Sequence, residues 1–170
     1  INIVNKIGDL VIEKFHYNKI GTVIKHIPGH GLAKSDSHIR TPYIYKNLNY
    51  LKRNDFKVFK NKKSIFAMTA HIIFSKIDPT YTVTHSKKLI NIIRNEINFK
   101  NLIISDDISM KSLKFSTLTN TQKAFQAGCN LVLHCNARMS EMKVVAENSP
   151  KLDNFLLKKT LEFYKLVNIK

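Results

Sequence analysis

The sequence contains no run of apolar residues long enough to cross a membrane, which takes about 18 uninterrupted residues. Its longest apolar stretches, Ser64–Phe74 and Asn130–Cys135, are short and are interrupted by His71 and His134. The first ten residues, INIVNKIGDL, lack the basic, apolar and small-residue order of a secretory signal peptide. We therefore expect a cytoplasmic protein that has no membrane partner.

Cysteine is nearly absent as well, with only Cys129 and Cys135 on either side of the apolar run NLVLH. If that run is extended at roughly 3.3 Å per residue, the two thiols lie about 20 Å apart. This separation is far beyond the reach of a disulfide. Two free thiols suit a reducing compartment.

Acidic residues are scarce: 12 Asp and Glu stand against 28 Lys and Arg, which gives a formal net charge of +16. Such a balance raises the question of a nucleic-acid partner. The basic residues are scattered along the chain, however, and they do not alternate with aromatic residues as in a stacking surface. We expect a solvated basic surface and no nucleic-acid partner, and a basic binding module remains the non-enzyme alternative.

The sequence alternates short apolar runs with stretches of helical periodicity. The runs rich in Ile, Val and Leu predict buried parallel strands at Thr22–Ile27, Ser64–Ala70, Asn101–Ser105 and Leu131–His134. The periodic stretches predict helices at Val4–Tyr17, Ser86–Ile97, Thr121–Ala127 and Asp153–Val167. We expect Ser86 to cap the amino terminus of its helix, and Asn98 to follow that helix in a left-handed conformation.

This order of helices and strands predicts a parallel α/β architecture. No internal repeat, low-complexity tract or linker divides the sequence, so residues 1–170 are interpreted as a single domain. Each predicted strand runs at its carboxyl end into polar residues, among them Lys25, His71, Asp106 and His134. In a (β/α)₈ TIM barrel these ends meet at the face that carries the active site. A full barrel takes about 250 residues, so only about four of its eight units are visible here.

Asp106 directly follows the predicted strand LIIS, where a carboxylate can attack an electrophilic carbon. The alternative is that Asp106 or Asp107 caps a helix that begins ahead of Met110. In the loop segment SDSH, Asp36 precedes His38 by two residues. A carboxylate at that spacing can hold one ring nitrogen and leave the other free for proton transfer.

The segment KHIPGHG turns sharply after the first predicted strand, through Pro28, Gly29 and Gly31. It is not a phosphate-binding P-loop, because the G-K-[ST] ending is absent. Lys25 and His26 can donate hydrogen bonds to a polar substrate. Alternatively, Lys25 is a structural lysine that forms an ion pair with Asp106 or Asp107.

Taken in order, KHIPGHG, DSH, MTAHI, LIISDDISM and AGCNLVLHCN strongly resemble the glycoside hydrolase family 3 β-N-acetylhexosaminidases of bacterial peptidoglycan recycling. The likeness runs from about Val4 to Met142 and includes the text IRNEINFKNLIISDD. It implies a TIM barrel that removes terminal β-linked N-acetylglucosamine from muropeptides with retention of configuration. It also implies that no metal or organic cofactor is needed.

The resemblance assigns roles to five residues. The position of Asp106 matches the nucleophile that forms a covalent glycosyl-enzyme, and His38 matches the general acid/base that is oriented by the match of Asp36. Lys25 and His26 match residues that bind the terminal sugar. The use of a histidine departs from the usual pair of carboxylates in glycosidases, and no glutamate in this sequence is suitably placed to be the acid.

Three further residues are candidates for the pocket: His71, His134 and Met110. For each histidine, structural support and direct substrate contact both remain open. A metal-dependent barrel hydrolase is the alternative enzyme class, since several histidines lie near predicted strand ends. The paired His-x-His that such barrels carry on the first strand is absent, because Lys25 precedes His26.

The sequence departs from the family in two ways. Asn130 stands after Ala-Gly-Cys where the family usually has Asp, which we expect to affect stability more than chemistry. The resemblance also implies that only the carboxy-terminal half of the barrel is present, without an Asp and two Arg that bind sugar. An incomplete sequence, a decayed or split gene, and a barrel completed by a second chain are the three explanations, and the start at Ile1 favours the first. An inactive fragment of the family is thus an alternative to an active enzyme.

Overall fold

The computed structural model describes residues 1–169 and shows a mixed α/β fold. Four parallel strands form the main sheet in the order β1-β3-β5-β6, and two short parallel strands, β2 and β4, form a second sheet. The strands are β1 (Val23–Ile27), β2 (Tyr43–Ile44), β3 (Phe66–Thr69), β4 (Ile73–Phe74), β5 (Leu102–Asp107) and β6 (Leu131–Leu133). The helices are α1 (Asn2–Tyr17), α2 (Leu48–Arg53), α3 (Lys87–Asn95), α4 (Thr117–Ala127), α5 (Met139–Glu147) and α6 (Asn154–Val167), with 3₁₀ helices at Asp55–Phe59 and Val83–His85.

The predicted parallel α/β architecture is confirmed, and each of the four predicted strands exists. β5 is longer than expected, because it continues through Asp106 to Asp107, which pairs with Leu133 of β6. The polar residues at its end are therefore part of the sheet and not of the following loop. The TIM barrel, its reduction to a carboxy-terminal half and the single-domain interpretation stay predictions.

The four predicted helices exist too. Ser86 caps α3 as expected, since its hydroxyl oxygen accepts a hydrogen bond from the amide of Leu89. Asn98 has the expected left-handed conformation, with φ of 62°. α4 begins four residues earlier than predicted, because the hydroxyl of Ser116 caps it by accepting from the amide of Thr119.

The hydrophobic core lies between one face of the main sheet and the helices behind it. A fully buried aliphatic or aromatic side chain contributes about 1.5–3 kcal/mol, so this layer fixes the sheet. Its fully buried members include Ile27, Leu51, Ala67, Phe74, Leu89, Ile93, Phe99 and Ile103. At the end of α4, Gly128 has φ of +112°, and a Cβ there would lie 3.0 Å from Ile90, so glycine allows the chain to turn closely into β6.

The opposite side of the molecule is less covered. α6 packs near the amino-terminal end of β3, where the ring of Phe163 lies 5.1 Å from that of Phe66. Between α1 and β1 lies an apolar groove of about 500 Å³, lined in part by Val4, Val11 and Phe15. Within residues 1–169, no helix combines the length and the apolar character that a membrane crossing requires.

Candidate active site

The carboxyl ends of β1 and β5 bring a histidine and a carboxylate together. His26 Nε2 lies 3.4 Å from Asp106 Oδ2, and their side chains are 29% and 17% exposed. Both groups are therefore sheltered but still accessible from the open side of the sheet. This pair was not predicted as a contact, because the two residues are 80 positions apart in the sequence.

The two adjacent aspartates of β5 have different tasks. The carboxylate of Asp107 accepts hydrogen bonds from the amide and hydroxyl of Ser109 and from the amide of Cys135. The carboxylate of Asp106 accepts one backbone bond, from the amide of Asp107 at 2.9 Å, and its other oxygen faces His26. The expected helix is absent at this point, because a turn follows β5 and α4 begins only at Thr117. Asp107 nevertheless accepts from an amide ahead of Met110, that of Ser109, as the capping alternative expected.

The electrostatic environment of His26 combines opposing effects. Burial lowers its pKa most, the charge of Asp106 raises it, and Lys25, His30 and His71 lower it. A neutral imidazole here can donate or accept a hydrogen bond without adding a buried charge. Such a group suits contact with a sugar hydroxyl or amide.

Lys25 makes no ion pair within the part of the chain that the structure describes, so the alternative of a lysine paired with Asp106 or Asp107 is wrong. Lys25 lines a cleft of about 440 Å³ together with His26, His30 and Asp55. Burial raises the pKa of Asp55. The lysine is therefore available to a ligand that enters this cleft.

Asp36 and His38 form the contact that their spacing predicted. Asp36 Oδ1 accepts hydrogen bonds from the backbone amide of His38 at 2.9 Å and from its Nδ1 at 2.7 Å. These bonds, the backbone one first, hold the pKa of Asp36 below its usual range. The side chains are 54% and 76% exposed. The pair thus lies on an open loop, with Nε2 of His38 pointing away from its carboxylate partner.

His71 is 1% exposed and lies beneath the end of β5. Its Nε2 lies 2.9 Å from the carbonyl oxygen of Asp107, and its Nδ1 lies 2.7 Å from the hydroxyl of Thr84. Met110, another candidate, is 9% exposed in the turn that follows β5. His71 therefore supports the end of β5, and neither residue lines the cleft that contains Lys25 and His26.

His134 forms a hydrogen bond with Glu141 of α5, a residue that no sequence motif singles out. Its Nε2 donates to Glu141 Oε2 at 2.8 Å, and this carboxylate also accepts from Asn136 and Arg138. The hydrogen bonds, above all that from His134, lower the pKa of Glu141 to about 2. The cluster fixes the connection from β6 to α5 beside the end of β5. The i and i+7 spacing of His134 and Glu141 gave no recognisable signal.

Asn130 fills the position where the family usually has Asp. Its Oδ1 accepts from the amide of Ile103 at 2.9 Å and from Arg94 Nη2 at 2.7 Å. An amide oxygen meets both donors, although it supplies no charge for the half-buried guanidinium of Arg94. Cys129 and Cys135 are free, as predicted. In residues 1–169, no group of three or more His, Cys, Asp or Glu gathers in a way that could hold a metal ion.

The fold and the site define a parallel α/β protein whose polar side chains gather at the carboxyl ends of its strands, the usual place of active sites in this class. The model of the family described as "Glycosyl hydrolase family 3 N terminal domain" matches residues 1–157. The chain belongs to this family.

Known proteins support the assignment. A β-hexosaminidase from Psychromonas ingrahamii is 33% identical over 146 residues, which are 82% of this chain and 41% of the relative. The structure of a glycoside hydrolase family 3 β-N-acetylglucosaminidase from a Paenibacillus species superposes on this chain with a TM-score of 0.87 and 20% identity. The match includes 99% of this chain and 35% of the Paenibacillus chain. NagZ from Neisseria gonorrhoeae, solved with N-trifluoroacetyl-D-glucosamine, covers 87% of this chain and 45% of its own, with 24% identity and a TM-score of 0.70. The chain spans about a third to a half of the length of the curated relatives it matches.

Proposed function

We propose that this chain carries the catalytic residues of a retaining β-N-acetylhexosaminidase that releases terminal β-linked N-acetylglucosamine from peptidoglycan fragments. The relative from P. ingrahamii bears the name β-hexosaminidase, and the Neisseria protein binds a glucosamine derivative. The observation that carries the proposal is the carboxylate of Asp106. It lies at a strand end, partly sheltered and 3.4 Å from His26, and it is free of the structural bonds that hold Asp107.

In the proposed first step, an oxygen of Asp106 attacks the anomeric carbon of the sugar. The bond to the leaving group breaks, and His38 transfers the proton on its Nε2 to the departing oxygen. The product is a glycosyl ester of Asp106. The hydrogen bond from Nδ1 of His38 to Asp36 orients the ring and stabilises the imidazolium that this step requires.

In the second step, water attacks the same carbon from the opposite face. His38 now accepts a proton from the water, and Asp106 leaves as a carboxylate. Two inversions give net retention of configuration. Because the Asp36–His38 pair lies on an exposed loop, a movement of that loop would bring the imidazole to the glycosidic oxygen.

Lys25 and His26 are the proposed sugar-binding residues. Among residues 1–169 the lysine forms no ion pair, and both it and the sheltered histidine offer hydrogen bonds to hydroxyl and acetamido oxygens. The reaction as written needs no metal or organic cofactor, because Asp106 supplies the nucleophile and His38 moves the proton.

We further propose that the four-stranded sheet forms the carboxy-terminal half of a TIM barrel. Both edge strands, β1 and β6, offer unpaired backbone groups to further strands. A role in cell-wall recycling in the cytoplasm accords with the proposed substrate. The missing sugar contacts would come from the amino-terminal half, which a single longer chain or a second chain can supply.

The test is turnover of a chromogenic β-N-acetylglucosaminide. We would assay this chain alone and as a chimera joined to the amino-terminal part of the P. ingrahamii β-hexosaminidase, each beside its Asp106→Ala variant. Release of the chromophore that falls at least about 1,000-fold in the variant supports the proposal. Soluble, folded protein that shows no release in either form contradicts it and leaves an inactive member of the family.

A further inference from the structure

A chain of buried hydrogen bonds leads from β3 to the end of β5. Thr69 Oγ1 lies 2.8 Å from Thr84 Oγ1, which lies 2.7 Å from His71 Nδ1, and His71 Nε2 lies 2.9 Å from the carbonyl oxygen of Asp107. Thr69 and Thr84 are 0% exposed and His71 is 1% exposed. None of these hydrogen bonds belongs to the reaction steps proposed above.

The acceptor at the end of this chain fixes the direction of every bond. A carbonyl oxygen only accepts, so His71 Nε2 carries a proton and donates it to Asp107. In the neutral ring Nδ1 then accepts from the hydroxyl of Thr84, whose oxygen accepts in turn from Thr69. Burial lowers the pKa of His71, which favours this neutral tautomer. The ring therefore has one orientation and one pattern of protons.

The carbonyl that accepts from His71 belongs to Asp107, and Asp107 also determines the orientation of the Asp106 side chain. The amide of Asp107 donates to Asp106 Oδ1, and the carboxylate of Asp107 is held by Ser109 and Cys135. Asp107 is thus fixed at its amide, its carbonyl and its side chain. The carbonyl bonded by His71 lies in the peptide after Asp107, and the amide that bonds to Asp106 lies in the peptide before it. Loss of the His71 bond would therefore loosen Asp107 itself, the residue whose amide sets the direction of the Asp106 carboxylate.

We infer that His71 is a positioning residue. Its hydrogen bond to the Asp107 carbonyl fixes the end of β5 and so orients the Asp106 carboxylate toward the reacting carbon. The inference rests on the proposed function of Asp106. It assigns no substrate contact to His71, because both ring nitrogens are engaged within the protein. A displacement of about 1 Å at a reacting group can cost on the order of 100-fold in rate.

Two substitutions of His71 separate positioning from packing. In His71→Gln the side-chain amide nitrogen reaches the place of Nε2 and still donates to Asp107. In His71→Asn the shorter amide meets Thr84 and no longer reaches the Asp107 carbonyl, which keeps only the longer bond from the amide of Met110, at 3.2 Å, among residues 1–169. His85→Gln is the matched control, since His85 is also buried, at 7% exposure, but its side chain makes no hydrogen bond to β5 within residues 1–169.

The first measurement is kcat and KM for the chromogenic substrate, with whichever form of the protein is active. We expect His71→Asn to lower kcat by about 10- to 100-fold with KM within about twofold. We expect His71→Gln to keep kcat within about fivefold of the parent, and His85→Gln to leave it unchanged. A more reactive dinitrophenyl leaving group should not restore the kcat of His71→Asn. Such a leaving group removes the need for a general acid, but the nucleophile must still be correctly oriented. Equal losses in the Asn and Gln variants, or an undiminished kcat in His71→Asn, would overturn the inference.

The second measurement does not depend on activity. Burial lowers the pKa of His26 most, Asp106 raises it, and Lys25, His30 and His71 lower it. An NMR titration of this chain would follow that pKa. Removing the ring of His71 would by itself raise it, so a fall in His71→Asn requires that Asp106 has moved away. We expect that fall, and none in His85→Gln; an unchanged or raised value overturns the inference. An inactive parent protein whose His71→Asn variant shows this fall would contradict the proposed function and leave the positioning role of His71 intact.

Discussion

At the scale of single residues, the end of β5 separates chemistry from structure. Sequence position alone could not decide between Asp106 and Asp107, because both directly follow the same apolar run. The structure distinguishes them by their partners: Asp107 bonds to Ser109 and Cys135, whereas Asp106 faces His26. The contact of Asp36 with His38 was predictable because it is local, with only one residue between the partners.

This difference predicts opposite effects of two adjacent substitutions. Asp107→Ala leaves the amides of Ser109 and Cys135 without their acceptor and should lower the free energy of unfolding by about 1–3 kcal/mol. Asp106→Ala should lower it by less than about 1 kcal/mol and still abolish turnover. Urea unfolding of both variants checks the prediction. A larger loss of stability in Asp106→Ala than in Asp107→Ala would show that the assignment of the two carboxylates is reversed.

At the scale of elements, strands and helices followed from hydrophobic periodicity, but their connections did not. The four main strands and helices α1, α3, α4 and α6 were predicted, since their apolar residues repeat at the spacing of one buried face. Strands β2 and β4 were missed, because two residues are too few to carry a period. The bonds from His71 to Thr84 and from His134 to Glu141 join separate elements, and no local pattern announces them.

One such connection explains how the fold accepts Asn130. Its side-chain oxygen joins Arg94 of α3 to the amide of Ile103 in β5. Asn130→Ala should lower the free energy of unfolding by about 1–3 kcal/mol, because two donors lose their partner. Asn130→Asp keeps the geometry and adds a charge beside Arg94, so we expect a stability equal to or above that of the parent at pH 7. Thermal and urea unfolding provide the comparison, and an alanine variant as stable as the parent would refute this role.

The connection between β6 and α5 gives a dependence on pH. The pKa of Glu141 is lowered to about 2 in the folded protein from an ordinary value of 4.5. A carboxylate with a depressed pKa stabilises the fold above its unfolded pKa, and this contribution is lost as pH falls. The difference in the free energy of unfolding between the parent and Glu141→Gln should therefore be largest above about pH 5 and shrink between about pH 4.5 and 2. Urea unfolding at several pH values tests this, and a difference that is constant with pH would contradict it.

At the scale of the whole molecule, one side of the chain is strongly apolar and open. Ile3, Val4, Ile7 and Leu10 of α1 are each more than half exposed, and the adjoining groove of about 500 Å³ lies against β1. A surface of this kind is the mark of an interface. It accords with the proposal that further strands complete a barrel beside β1.

The open face predicts how the isolated chain behaves. The chain alone should bind a hydrophobic dye and associate as its concentration rises, whereas the chimera with the amino-terminal part of the relative should bind less dye and unfold at a higher temperature. Dye fluorescence, light scattering and thermal unfolding on matched samples measure this. A chain that stays monomeric and binds no more dye than the chimera would argue against a barrel completed at this face.

The nucleophilic role of Asp106 is the central claim, and trapping of the covalent intermediate tests it most directly. A fluorinated N-acetylglucosaminide with a good leaving group slows the second step more than the first, so the glycosyl-enzyme accumulates and can be seen by mass spectrometry. We predict a mass increase of one sugar, carried by the peptide that contains Asp106 and absent from the Asp106→Ala variant. A label on another residue, or turnover of the same glycoside without any labelled protein in the active form, would contradict the account.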